Sequence, residues 1–138
     1  FSHPSLKKTD MEGNEYSCRP DLLILCYAVI NTTQFISKGS FKNLLGKHPT
    51  RKQLQFYSTD KYITMETPPT FLWHTRDDST VPYQNSVVFY DQLKKHAVPC
   101  ELHLFDHGEH GLGLALENKE VKKWTKFCSE WLKKMITK

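Results

Sequence analysis

Leu22-Leu23-Ile24-Leu25-Cys26-Tyr27-Ala28-Val29-Ile30 is almost continuously apolar and follows Arg19-Pro20-Asp21. The run is too short for a helix buried all round and does not alternate as a strand with one wet face would. It reads as a central strand of a parallel sheet, covered on both sides. Two further strands are expected downstream. Thr70-Phe71-Leu72-Trp73-His74-Thr75 is launched by Pro68-Pro69 and stopped by the polar Arg76-Asp77-Asp78-Ser79-Thr80. Glu101-Leu102-His103-Leu104-Phe105 ends in the loop Asp106-His107-Gly108-Glu109-His110-Gly111.

Helical material follows each strand. Tyr83 to His96 carries Val87, Tyr90 and Leu93 with Phe89, a spacing of three and four that lays one apolar stripe on a sheet. Asn118 to Ile136 has the strongest helical period, through Val121, Trp124, Phe127 with Cys128, Trp131 with Leu132, and Met135. Its lysines, Lys122, Lys123, Lys126, Lys133 and Lys134, fall on the other side, as a solvated face. The connection Asn31 to Thr67 holds one expected helix, Arg51 to about Tyr57, because Thr50 and Gln53 have the spacing of a capping box. The remainder, including Gly39-Ser40 and Leu44-Leu45-Gly46, reads as irregular, and so long a connection is expected to be a lid-like, substrate-facing excursion over residues 31–67. Phe1 to Arg19 reads as a surface loop or the tail of a helix begun upstream.

Alternating strands and helices imply an α/β fold, a three-layer α/β/α arrangement about a parallel sheet. Three buried strands alone would leave a long apolar edge open to water or to another chain. Residues 1–138 are therefore expected to be the C-terminal part of one domain, paired with an upstream half of the same fold or with a second copy.

Composition agrees with a globular chain: of 138 residues, 38% are hydrophobic and 25% charged, which excludes a disordered tail. The net charge of +4 comes from nineteen Lys and Arg spread along the chain, so no nucleic-acid partner is implied. No apolar stretch approaches the roughly 18 residues of a membrane span. Cys18, Cys26, Cys100 and Cys128 stand far apart, are expected to be buried free thiols, and suit a reducing cytoplasm.

In an open parallel sheet, ligands sit beyond the carboxyl ends of the strands. Asp77 and Asp78 follow the second strand, and His107 and His110 follow the third. If those strands are neighbours, their loops start about 4.8 Å apart. A carboxylate and an imidazole can then meet, the pairing that fixes a histidine tautomer and stabilises its protonated form in nucleophilic catalysis. His74, inside a strand, reads as a hydrogen-bonded core histidine. A zinc cluster from His103, His107 and His110 with Glu109 or Asp106 is the competing chemistry.

The wording of the two loops is more specific. Asp78-Ser79-Thr80-Val81-Pro82 and Phe105-Asp106-His107-Gly108-Glu109-His110-Gly111-Leu112-Gly113-Leu114 resemble the acid and histidine loops of α/β-hydrolases. The likeness is to the carbohydrate-esterase and acetylesterase-like branch, with sugar hydrolase-like proteins and relatives of dienelactone hydrolase and prolyl oligopeptidase. It extends from Arg19-Pro20-Asp21-Leu22 through Ser40-Phe41-Lys42-Asn43-Leu44-Leu45-Gly46 to the final helix. The resemblance implies that Asp78 is the acid and His110 the base of a catalytic triad; their neighbours Asp77, which can cap the turn, and His107, which can pack the loop, are the alternatives for those two roles. It implies a serine hydrolase of carboxylic esters, acetyl or short-chain and including those of sugars, needing no cofactor and no metal.

One departure matters. Such an enzyme needs a Gly-x-Ser-x-Gly elbow on a strand-to-helix turn, and neither that motif nor a His-Gly-Gly oxyanion loop occurs in this sequence. Ser40 lacks the small flanks of a tight elbow, and Cys26 and Cys100 fall in strands, where an apolar setting raises a thiol pKa. The family places the nucleophile ahead of the strand that corresponds to Leu22 to Ile30, so this chain carries the acid and base alone. The rival expectation is a noncatalytic binding or scaffold protein that pairs its open sheet edge with a partner.

Overall fold

The computed structural model describes residues 7–17 and 19–137. A short antiparallel hairpin comes first, β1 (Lys7–Thr9) with β2 (Glu15–Ser17). Its turn is held by Asp10, whose Oδ1 accepts the N–H groups of Glu12 (2.9 Å) and Asn14 (2.8 Å). This corrects the expectation of a loop or helix tail over these residues: three-residue strands are too short to show alternation. Cys18 lies outside the described residues.

The main sheet is parallel, in the order β3 (Leu23–Cys26), β4 (Thr70–Thr75), β5 (Cys100–Phe105). Register pairs Leu23 with Thr70 and Thr70 with Cys100, and Arg76 N–H continues the ladder to the Phe105 carbonyl at 2.8 Å. β4 and β5 match their sequence reading to within a residue. The long apolar run does not: its paired part is only four residues, and β3 is an edge strand with Ile24 43% exposed. Tyr27 ends it by turning to φ +40°, and Ala28 to Ile30 leave the sheet.

Alternation along β4 builds two cores. Leu72 faces the helix α3 (Gln84–Lys95), packing with Phe89, Leu93, Ile30, Ile63 and Val98. Phe71 and Trp73 face α4 (Lys123–Ile136), packing with Val121, Cys128 and Trp131. The result is the expected helix, sheet, helix sandwich. The α4 pattern begins before the helix itself, in turns from Asn118, whose Oδ1 accepts the N–H groups of Glu120 and Val121. Cys26 and Cys100 are half-buried rather than buried, because β3 and β5 are both edges of the sheet; Cys128 is buried.

The excursion between β3 and β4 is more ordered than its sequence suggests. α1 (Lys38–Leu45) forms across the stretch read as irregular, in spite of Gly39, by burying Phe41 and ending at Gly46 with φ +83°. α2 (Arg51–Phe56) carries the capping box, with Thr50 Oγ1 accepting Gln53 N–H (3.2 Å) and Gln53 Oε1 accepting Thr50 N–H (2.8 Å). A 3-10 turn, Thr59–Tyr62, follows.

Trp131 is only 2% exposed and sits against Phe71 at 5.8 Å. Trp131→Ala is expected to cost about 3–5 kcal/mol. Loss under 1 kcal/mol in chemical denaturation would mean that α4 is not seated on the sheet in this way.

Candidate active site

The carboxyl ends of β3, β4 and β5 bring together Tyr27, Asp78 and His110. The Asp78 turn is made by its own side chain, since Oδ1 accepts the N–H groups of Thr80 and Val81, both at 2.9 Å. Two bonds fix the carboxylate plane and aim Oδ2 at the next loop. There it accepts the Nδ1–H of His110 at 2.7 Å and, from behind, the Nε2–H of His74 at 3.2 Å. Burial alone would raise the Asp78 pKa. The Val81 N–H, the His110 ring and the Thr80 N–H outweigh it and hold the carboxyl below its ordinary value, so it is an anion at neutral pH.

His110 is half-buried. Its Nε2, on the far side of the ring from Asp78, has no hydrogen-bond partner among the described residues. Tyr27 stands edge-on to the ring at 4.8 Å, and its hydroxyl accepts the Gly113 N–H at 3.2 Å, tying the end of β3 to the loop. Gly111, at φ +86°, supplies the left-handed turn just after His110. Gly108 answers a different need. A Cβ there would lie 2.8 Å from the Thr75 methyl and 2.8 Å from Leu112 Cδ1, while the Gly108 carbonyl accepts the Thr75 hydroxyl at 2.6 Å.

The neighbouring pair does separate work. Asp77 Oδ1 accepts the Gly108 N–H at 2.7 Å, and its Oδ2 accepts the Nδ1–H of His107 at 3.1 Å. The Gly108 N–H, then the His107 ring, keep Asp77 below its ordinary pKa. Asp77 and His107 therefore clamp the two loops together, whereas Asp78 and His110 meet further in, at the strand ends. His103 belongs to neither: it donates to Glu101 at 2.8 Å and stacks on Phe127 at 4.6 Å. No group of three His, Cys, Asp or Glu among the described residues is arranged to hold a metal. Ser40 lies in α1 and bonds Ser37. Burial raises the thiols of Cys26, Cys100 and Cys128, so none is a thiolate at neutral pH.

Two participants escaped the sequence reading. Tyr27 passed as one more apolar residue of a strand, and a positive φ on tyrosine leaves no mark in a sequence. His74 was legible as a bonded core histidine, but not as a partner of Asp78. The signal for it was its place four residues before Asp78, on the face of β4 that carries Leu72.

Asn85, at the start of α3, roots the excursion beside this crevice. Its Oδ1 accepts the N–H groups of Ile30 (2.9 Å) and Asn31 (2.7 Å), and its Nδ2 donates to the carbonyls of Phe35 and Pro82, both at 2.9 Å. Asn31 Oδ1 in turn caps the backbone N–H groups of Thr33, Gln34 and Phe35.

The sequence pattern of the prolyl oligopeptidase family matches residues 24–138. Endo-1,4-beta-xylanase B of Butyrivibrio fibrisolvens is 38% identical over 110 residues, 80% of this chain and 17% of that protein. The acetylxylan esterase of Xylanibacter ruminicola is 31% identical over 123 residues, 86% of this chain and 26% of that one. The crystal structure of an acetyl ester-xyloside bifunctional hydrolase from Caldicellulosiruptor lactoaceticus is 49% identical, with a TM-score of 0.86 over 93% of this chain and 47% of its own. The chain spans about a fifth to a half of the length of these relatives.

Two outcomes follow from the loop geometry. Gly108→Ala is expected to cost about 1–3 kcal/mol, because the Thr75 side of the contact is anchored to the strand; a neutral result would show that Thr75 can yield. Asp78 has a folded-state pKa below the ordinary 3.8, so the stability it confers is complete above that value and is lost as pH falls through the folded one. Asp78→Asn should therefore be less stable by roughly 1–3 kcal/mol at pH 7, with a gap that narrows on acidification. A gap independent of pH would contradict the ionised carboxylate.

Proposed function

The chain belongs to the prolyl oligopeptidase family, within the α/β-hydrolases, and we propose that it supplies the acid and base of a Ser-His-Asp triad whose nucleophile is carried by an upstream half of the same fold. The observation that carries this reading is the 2.7 Å bond from His110 Nδ1 to Asp78 Oδ2 at the strand ends, with Nε2 left to face a substrate. In the reaction, His110 Nε2 accepts the proton of the serine hydroxyl as its oxygen attacks the ester carbonyl. The same proton then passes to the leaving alcohol, and a water molecule repeats the sequence to release the acid. Asp78 stays ionised throughout, holding the ring and stabilising the imidazolium.

The substrate class is a carboxylic ester, acetyl or short-chain and attached to a sugar. Support comes from the acetylxylan esterase and the acetyl ester-xyloside hydrolase among the relatives. The excursion over residues 31–67, rooted by Asn85 next to the crevice, would line the acyl or alcohol side of the pocket. β3 leaves one edge unpaired among the described residues, and a parallel strand of the upstream half would complete it.

The test uses the complete protein, with the upstream half joined to this chain, and p-nitrophenyl acetate as substrate. His110→Ala and Asp78→Asn should each lower kcat by about 10⁴-fold with little change in KM. A serine-directed phosphonate should label the complete protein and not this chain alone. Unchanged turnover in either variant would remove that residue from its role, and a complete protein inert to both reagents would favour the noncatalytic alternative.

A further inference from the structure

His74 is entirely buried, and both nitrogens of its ring are hydrogen-bonded. Nε2 faces two groups that can only accept, the Val81 carbonyl at 2.9 Å and Asp78 Oδ2 at 3.2 Å. That nitrogen must therefore carry the proton. Nδ1 lies 2.8 Å from the hydroxyl of Ser86, itself fully buried in the first turn of α3. A neutral ring lets Ser86 donate to Nδ1, which fixes the tautomer, and the location agrees. Burial pushes the His74 pKa below its ordinary value, ahead of the Val81 carbonyl and Asp78, which pull the other way.

The arrangement is costly for a merely structural residue. It places a buried polar ring on the α3 face of a sheet otherwise packed with Leu72, Phe89 and Leu93. What the ring obtains there is contact with the one carboxylate oxygen that also receives His110. Asp78 Oδ1 is already anchored by two backbone N–H groups, so Oδ2 has a single remaining share of charge to divide between two histidines.

We propose that His74 is a positioning residue for the acid of the triad: as a neutral Nε2–H donor held by Ser86, it fixes the Asp78 carboxylate from behind and sets how much of its charge reaches His110. The inference rests on the triad reading above. Among the described residues, the titratable groups facing His74 are Asp78 and, beyond it, His110, and α3 presents to it the Ser86 hydroxyl. Removing the His74 donor leaves the charge of Oδ2 to His110 alone, which favours the imidazolium. The acid limb of the kcat/KM profile then moves to higher pH, while the loosened carboxylate lowers kcat.

The experiment compares variants of the complete protein with the upstream half, by steady-state hydrolysis of p-nitrophenyl acetate across pH and by thermal unfolding. His74→Leu should lower kcat about 10- to 100-fold with KM nearly unchanged and should raise the acid limb. His74→Gln, which keeps an N–H donor, should recover most of both. In the Asp78→Asn background, His74→Leu should add little, since it acts through Asp78. A folded His74→Leu protein with unchanged kcat and acid limb, or a loss that multiplies fully with Asp78→Asn, would overturn the inference. Should His74→Leu not fold, Ser86→Ala decides, through the same upward limb shift with a smaller loss of kcat, or through no change in either. These failures are distinct from failure of the triad reading, in which Asp78→Asn and His110→Ala themselves remain active.

Discussion

Asp78 is a buried anion that accepts four hydrogen bonds, and the rest of the crevice is arranged around satisfying it. Two donors come from its own turn, one from the end of the next strand's loop and one from within its own strand. An isolated carboxylate in such a place would neutralise or stay unfolded, because burying a charge costs several kcal/mol unless it is paired and hydrogen-bonded. Each donor therefore fixes an element. The Thr80 and Val81 N–H groups shape the loop after β4, His110 draws in the loop after β5, and His74 ties the site to the first turn of α3 through Ser86. Asp77 then locks the two loops from the solvent side by holding the Gly108 N–H and the His107 ring. The adjacent acids thus divide the labour, the inner one receiving the two histidine donors and the outer one holding the loops in register.

Much of this was legible in the sequence where the determinants are local or periodic. β4 is bounded by Pro68-Pro69 and by a polar turn, and its six residues are all buried. α3 and α4 carry stripes of three-and-four spacing that match the faces they bury. The capping box at Thr50 and Gln53 is a purely local signal, and it forms as read. The Asp78 and His110 loops were recognisable by wording, though only the fold shows which acid meets which histidine.

What was not legible depends on contacts distant in the chain. α1 contains glycine and serine, weak helix formers, and forms because Phe41 is buried by residues elsewhere. The hairpin of β1 and β2 rests on one aspartate turn rather than on a hydrophobic pattern. Leu22 to Ile30 promised a strand covered on both faces, yet only Leu23–Cys26 is paired, at an edge of the described sheet, and Ile24 remains exposed. The positive φ of Tyr27 follows from its ring packing on His110 and Trp73, a tertiary demand with no counterpart in residue preference.

The unequal lengths of the two crossovers have a kinetic meaning. β4 and β5 are joined through a single helix, whereas β3 reaches β4 only across residues 27–69. Closing the shorter loop costs less chain entropy, and pairings close in sequence form ahead of distant ones. Asp78 lies at the start of that crossover, and His110 lies just beyond the strand it leads to. They are thus brought into register by the more local of the two parallel pairings among the described residues. The Asp78–His110 bond thus depends on a pairing that does not require the long excursion over residues 31–67 to close first.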